Sequence, residues 1–149
     1  MTPAQSRYLR LVRISAWYDL VVTAGFVTPW TYALVHTALS WAGEALGLGG
    51  LPAREPAQVL YANLMGSVVV VWSVLRLRRT LPVHGLYDGV ARTLFSLGLA
   101  SALAAGMSGV LWLFLTVELA WGVVQLLPWW RQRAAVRRGA GRPAVGESV

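Results

Sequence analysis

Asp19 and Glu118 are the residues best placed to do chemistry, because each carboxyl group sits inside a run of apolar residues. A carboxylate in hydrocarbon costs a few kcal/mol on insertion scales, so each asks for a reason. Asp19 follows Arg13 by six residues, which places it about 9 Å into an apolar layer entered at Arg13. Glu118 precedes Leu127 by nine residues, about 13 Å from the same side. The two depths differ by less than a helical turn, so neighbouring helices would bring the acids face to face. Ser15, Asp19 and Thr23 repeat four apart, and Phe26 and Trp30 continue that helical face. Glu118, Trp121 and Gln125 form a second polar and aromatic stripe, while Asn63 and Ser67 offer a third pair four apart. Arg92 is the cation expected to reach Asp19.

Such a pocket would recognise the polar head of a hydrophobic small molecule (quinone, isoprenoid or sterol-like), with Phe26, Trp30 and Trp121 against its apolar body. The same two acids would serve acid–base chemistry, such as an isomerisation, if their pKa values were held apart near neutrality. Plainer readings stand beside these. Asp19 would be bridged to Arg13 or Arg92 for packing alone, and Glu118 would be protonated and bonded to a neighbouring helix, since burial favours the neutral carboxyl. Asp88 reads as a helix-start charge paired with Arg92 four residues later. Glu44 and Glu55 read as solvated loop residues.

The elements that must position these groups follow from hydropathy. The chain of 149 residues is 56% hydrophobic and 13% charged, with mean hydropathy +0.56. A soluble domain carries about a quarter charged residues, and a disordered chain is richer still in charge. A bilayer span needs about 20 mostly apolar residues. Residues 14–36, 57–75, 90–106 and 110–127 qualify, the last two divided by the turn sequence Gly106–Gly109. All 13 basic residues are Arg, and Arg54 alone falls in the loop between the first and second windows. Arg7, Arg10 and Arg13, the Arg76–Arg92 group and the Arg131–Arg142 group share the other side. That asymmetry predicts an all-α, four-helix antiparallel membrane bundle with both termini cytoplasmic, multi-pass in the inner (plasma) membrane. The bundle occupies residues 1–130, and 131–149 reads as a basic, disordered tail held against anionic lipid rather than a nucleic-acid arm. Pro29 is expected to bend the first span by freeing the Gly25 carbonyl. Thr37–Leu46 reads as a short interfacial helix with Trp41 dipping into lipid. Small residues four apart, at Ala62 and Gly66 and along 96–106, would let helices approach within the bundle or in a homo-oligomer.

Several chemistries find no residues to carry them. Cysteine is absent, which removes disulfides and thiolate metal sites. His36 and His84 fall at opposite membrane faces, so no shared haem is expected, and no metal-ligand spacing occurs. No haem or metal cofactor is expected, and a quinone is among the hydrophobic small molecules the pocket would take. The serines lack a nucleophile-elbow setting. A proton-coupled transporter exchanging at Glu118 and a non-catalytic membrane partner subunit are the alternative functions.

The first span, RISAWYDLVVTAGFVTPW, and the last, VELAWGVVQLLP, in a four-span layout resemble the broad DoxX-like group of small bacterial membrane proteins. Arg13, Gly25 and Pro29 carry the likeness. The resemblance implies a four-helix membrane fold and an association with quinone-linked or lipophilic-substrate metabolism. It transfers no functional residue.

Overall fold

In a computed structural model, residues 3–140 are described, with side chains as far as Arg131. The described residues are all-helical: α1 Pro3–Ala24, α2 Pro29–Ala45, α3 Pro56–Arg78, α4 Pro82–Ala104 and α5 Leu111–Ala140. Prolines set the starts. Pro29, Pro56 and Pro82 each occupy the first turn of a helix, where a missing N–H costs nothing and a fixed φ helps. α4 closes with a glycine in the left-handed region: Gly106 has φ 83°, its N–H donates to Leu103, and Met107 N–H donates to Ala102. Those two bonds satisfy carbonyls that the helix end would otherwise leave open. The tight turn to α5 then follows at the sequence expected to divide two spans.

α3, with mean hydropathy 1.6, and the stretch Leu111–Arg131 of α5 are each long and apolar enough to cross a membrane. A third span is counted if α1 and α2 together form one broken crossing. The surface supports a lipid solvent. Val21, Trp30, Leu34, Val68 and Leu97 are all exposed, while Ser15, Ser73, Arg76, Asp88, Arg92 and Gln125 are buried. Water would favour the reverse arrangement.

Three elements differ from the sequence expectation. The first window is two helices rather than one bent span: α1 and α2 meet at 96° across Gly25–Thr28. Pro29 does not kink a continuing helix. It opens α2, whose end is capped by Thr28, the Thr28 hydroxyl accepting from Thr31 N–H. At the break the Phe26 carbonyl is taken up by α3: Asn63 donates to it at 2.7 Å. Gly66, one turn along, lets α3 close on the break, since a Cβ there would lie 2.8 Å from the Phe26 backbone. α4 starts at Pro82 rather than near residue 90, and α5 continues helical to Ala140 rather than ending near Leu127. Residues 141–149 of the expected basic tail lie outside the described residues.

Two helix pairs pack most extensively, α1 with α3 and α4 with α5. α1 makes a smaller contact with α4 and a slight one with α5, which joins the pairs. The small residues that permit packing on α4 are Gly85 against Tyr8 and Val12 of α1, and Gly89 against Leu126 of α5. The stripe expected along 96–106 is used less: Ser96 is buried, but Gly98 and Ala100 are exposed. α3 and α4, although consecutive, are not among the closely packed pairs. The space between them becomes the site.

Candidate functional site

Five ionisable side chains from four helices meet where the two helix pairs join. Arg92 of α4 is the hub. Its Nη2 donates to Asp19 Oδ1 of α1 at 2.6 Å and to Ser15 at 3.0 Å, its Nη1 to Glu118 Oε2 of α5 at 2.8 Å, and its Nε to Gln125 Oε1 at 3.2 Å. A planar guanidinium has donors in fixed directions, which is why one residue can bind three helices at once. Its opposite face rests on aromatic rings, 5.8 Å from the centroid of Tyr18 and 5.7 Å from that of Trp121.

Arg76 of α3 is the second hub and is fully buried. It donates to Asp19 Oδ2 at 2.7 Å, to Ser73 at 3.0 Å and to Asp88 Oδ2 of α4. Asp88 also accepts from Trp72 Nε1 at 2.8 Å and from Gln125 Nε2 at 3.2 Å, and Gln125 donates further to Ser15 at 2.9 Å. Each charge therefore finds an opposite charge, and all but Glu118, which makes one bond, carry two or more hydrogen bonds. That is the condition under which buried ion pairs offset their desolvation. The buried Arg76 Nε, however, stays without a partner among the described residues.

Beside this network a cavity of about 1110 Å³ opens between α3 and α4. Its walls are apolar: Val22 and Phe26 near the helix break, Met65 and Val69 of α3, Phe95 and Leu99 of α4, and Phe114 of α5. Tyr32 of α2 closes the end near the break. At the other end stand Asp19, Asp88, Arg92 and Glu118, with Trp72 and Tyr87 beside them. The space is a long apolar cleft with one polar end.

The expected residues distribute unevenly. Asp19 and Glu118 share one site, joined through Arg92 rather than by direct contact. Thr23 and Phe26 line the cleft, and Thr23 donates to the Asp19 backbone carbonyl at 2.6 Å. Ser15 and Gln125 belong to the network beneath the cleft, and Trp121 backs Arg92 from outside it. Trp30 does not reach the site. It is 77% exposed, because the break at Gly25–Thr28 turns α2 away from the face that α1 began. Ser67 also lies off the cleft lining, although its neighbours Gly66 and Val68 are both part of it.

Two residues read as peripheral are central. Arg92 is not the sole cation on Asp19, because Arg76 holds its other oxygen. Arg76 read as part of a flanking basic run, yet it still lies on α3 with Trp72 and Ser73 one turn back, and those neighbours were the available signal. Asp88 pairs with Arg76 across the α3–α4 connection instead of with Arg92 on its own helix. His36 and His84 have different partners. His36 Nε2 lies 2.9 Å from the Pro52 carbonyl, and His84 packs edge-on to Trp72. Among the described residues no group of His, Cys, Asp and Glu is suited to a metal ion.

Comparison with known proteins gives no relative to transfer a role from: no family model, no curated protein and no solved structure matches this chain.

The geometry makes Arg92 irreplaceable by another cation. Arg92→Met leaves the Asp19 and Glu118 bridges unmade, and loss of one partner from a buried pair costs about 3–5 kcal/mol. Arg92→Lys is expected to lose most of the same stability, because one ammonium cannot reach Ser15, Asp19, Glu118 and Gln125 together. Thermal unfolding in detergent micelles measures both; a lysine variant as stable as the parent would contradict this account of the hub.

Proposed function

We propose that this chain is a four-span inner-membrane protein, with both termini cytoplasmic, that binds a hydrophobic small molecule between α3 and α4. The observation that carries the reading is the cleft itself: about 1110 Å³ of mostly apolar space ending at charged and hydrogen-bonding side chains. Sites for lipophilic ligands have this form, with a wide apolar wall and a few polar groups that fix orientation. Because α3 and α4 do not pack along their lengths, the cleft faces the surrounding lipid and takes its ligand laterally. The ligand's tail lies along Met65, Val69, Phe95 and Leu99, and its head meets the carboxylates. The DoxX-like resemblance, which implies quinone-linked or lipophilic-substrate metabolism, agrees with a lipophilic ligand.

Recognition suits the polar end better than proton transfer does. Both Asp19 oxygens are already engaged by guanidinium groups, so acid–base work there would first have to break a bridge. Topology follows the arginine asymmetry, with α1, α3, α4 and α5 crossing. α2 turns 96° from α1 and presents Trp30, Leu34 and Trp41, all exposed, on one helical stripe. Tryptophans at such a position suit the outer lipid–water interface.

Topology is tested by single cysteines in this cysteine-free chain. A membrane-impermeant thiol reagent added to intact cells is expected to label Arg54→Cys and to spare Arg142→Cys; labelling of both would contradict the orientation.

Gly98 supplies the test of the cleft. It lines the space, and a Cβ built there meets nothing within 4 Å. Gly98→Leu is therefore expected to leave folding intact while filling part of the cleft. Lipophile retained by the purified protein, measured by native mass spectrometry, should fall several-fold in the variant. Equal retention by parent and variant would contradict binding at this place.

A further inference from the structure

The polar end of the cleft has a charge imbalance that selects its ligand. Asp19, Asp88 and Glu118 are bridged by Arg76 and Arg92, three carboxylates to two guanidiniums, a formal charge of −1. All three carboxylates line the cavity, whereas Arg76 lies behind it. Arg92 lines it too, but its Nε and both Nη atoms are turned to Gln125, Glu118, Ser15 and Asp19. On the acceptor side, both oxygens of Asp19 and both of Asp88 carry bonds, while Glu118 is bonded through Oε2 alone. Among the described residues, Glu118 Oε1 is the carboxylate oxygen of the cluster with no hydrogen-bond donor, and Glu118 lines the cavity. Trp72 and Tyr87 line the cavity as well, and the Trp72 ring already carries Arg76, 5.8 Å from its centroid.

From this we infer that the ligand is an amphiphile with a cationic, hydrogen-bond-donating head, a long-chain primary ammonium. The inference rests on the lipophile-binding reading above and narrows it. An ammonium would donate to Glu118 Oε1 and cancel the excess negative charge, its chain running along the apolar walls. An anionic head would meet three carboxylates and guanidinium donors already committed to them. A neutral head would find a partner in Glu118 but leave the excess charge in a low-dielectric place, where it is most costly.

The test uses the full chain in phosphatidylcholine nanodiscs at neutral pH with three probes of equal tail: dodecylamine, dodecanol and dodecanoate. Saturable binding is read from intrinsic tryptophan fluorescence and checked by native mass spectrometry. Dodecylamine is expected to bind at least about tenfold tighter than dodecanol, the factor given by ~1.4 kcal/mol, with no saturable dodecanoate binding. Glu118→Gln should remove the amine's advantage over dodecanol. Gly98→Leu should weaken both. An alcohol or carboxylate that binds as well as the amine overturns the cationic head, and the cleft reading survives if Gly98→Leu still weakens that probe. Binding of no probe overturns both.

Discussion

Guanidinium groups bridging carboxylates between helices are the interaction on which this structure depends. In a molecule with apolar residues outside, helix association gains little from hydrophobic burial, because lipid is as apolar as a helix neighbour. Packing and interhelical polar bonds must supply the association instead. Here α1, α3, α4 and α5 each place one or more members in a single network around Arg76 and Arg92. Each arginine reaches Asp19 from a different helix, so α1 is held between α3 and α4. The network is costly to break because loss of either arginine leaves carboxylates inside the bundle without their counter-charge.

The cleft is a consequence of where that network lies. α3 and α4 meet close to their short connection, through Trp72 and Arg76 on one and Asp88 on the other, and separate beyond it. α1 fills the angle only as far as Ala24, after which the chain turns into α2. The break is stabilised in its own right, by the Thr28 cap and by the Asn63 bond to the Phe26 carbonyl. A continuous first helix would have run on past Gly66. The broken one leaves space beside Phe26 and Tyr32, and that space is the apolar end of the cavity. Function, on this account, follows from a helix that stops early beside a network that holds one end shut.

Much of the polar interior was legible in the sequence, because charge inside an apolar run is a strong physical signal. Ser15, Asp19, Arg92, Glu118 and Gln125 do converge, as depth and helical spacing implied. Arg76 escaped notice because a basic residue near a span end also satisfies the orientation rule, and one arginine can do either task. Asp88 escaped for a related reason: a partner four residues away on its own helix looked sufficient, while the pairing used crosses a three-residue connection. Trp30 was misplaced by carrying helical periodicity across Gly25–Thr28. Pro29 marked a disruption, but the capping by Thr28 and Thr31, which makes it a new start and fixes a 96° turn, is a local hydrogen-bond arrangement that periodicity does not encode.

An experimental structure of the full chain, purified without delipidation and held in a lipid nanodisc, tests the central claim most directly. The account predicts an elongated density between α3 and α4, its tail along Val69 and Leu99 and its polar end within hydrogen-bond distance of Glu118. A structure in which α3 and α4 close on each other, their side chains filling the space and no density between them, would contradict it.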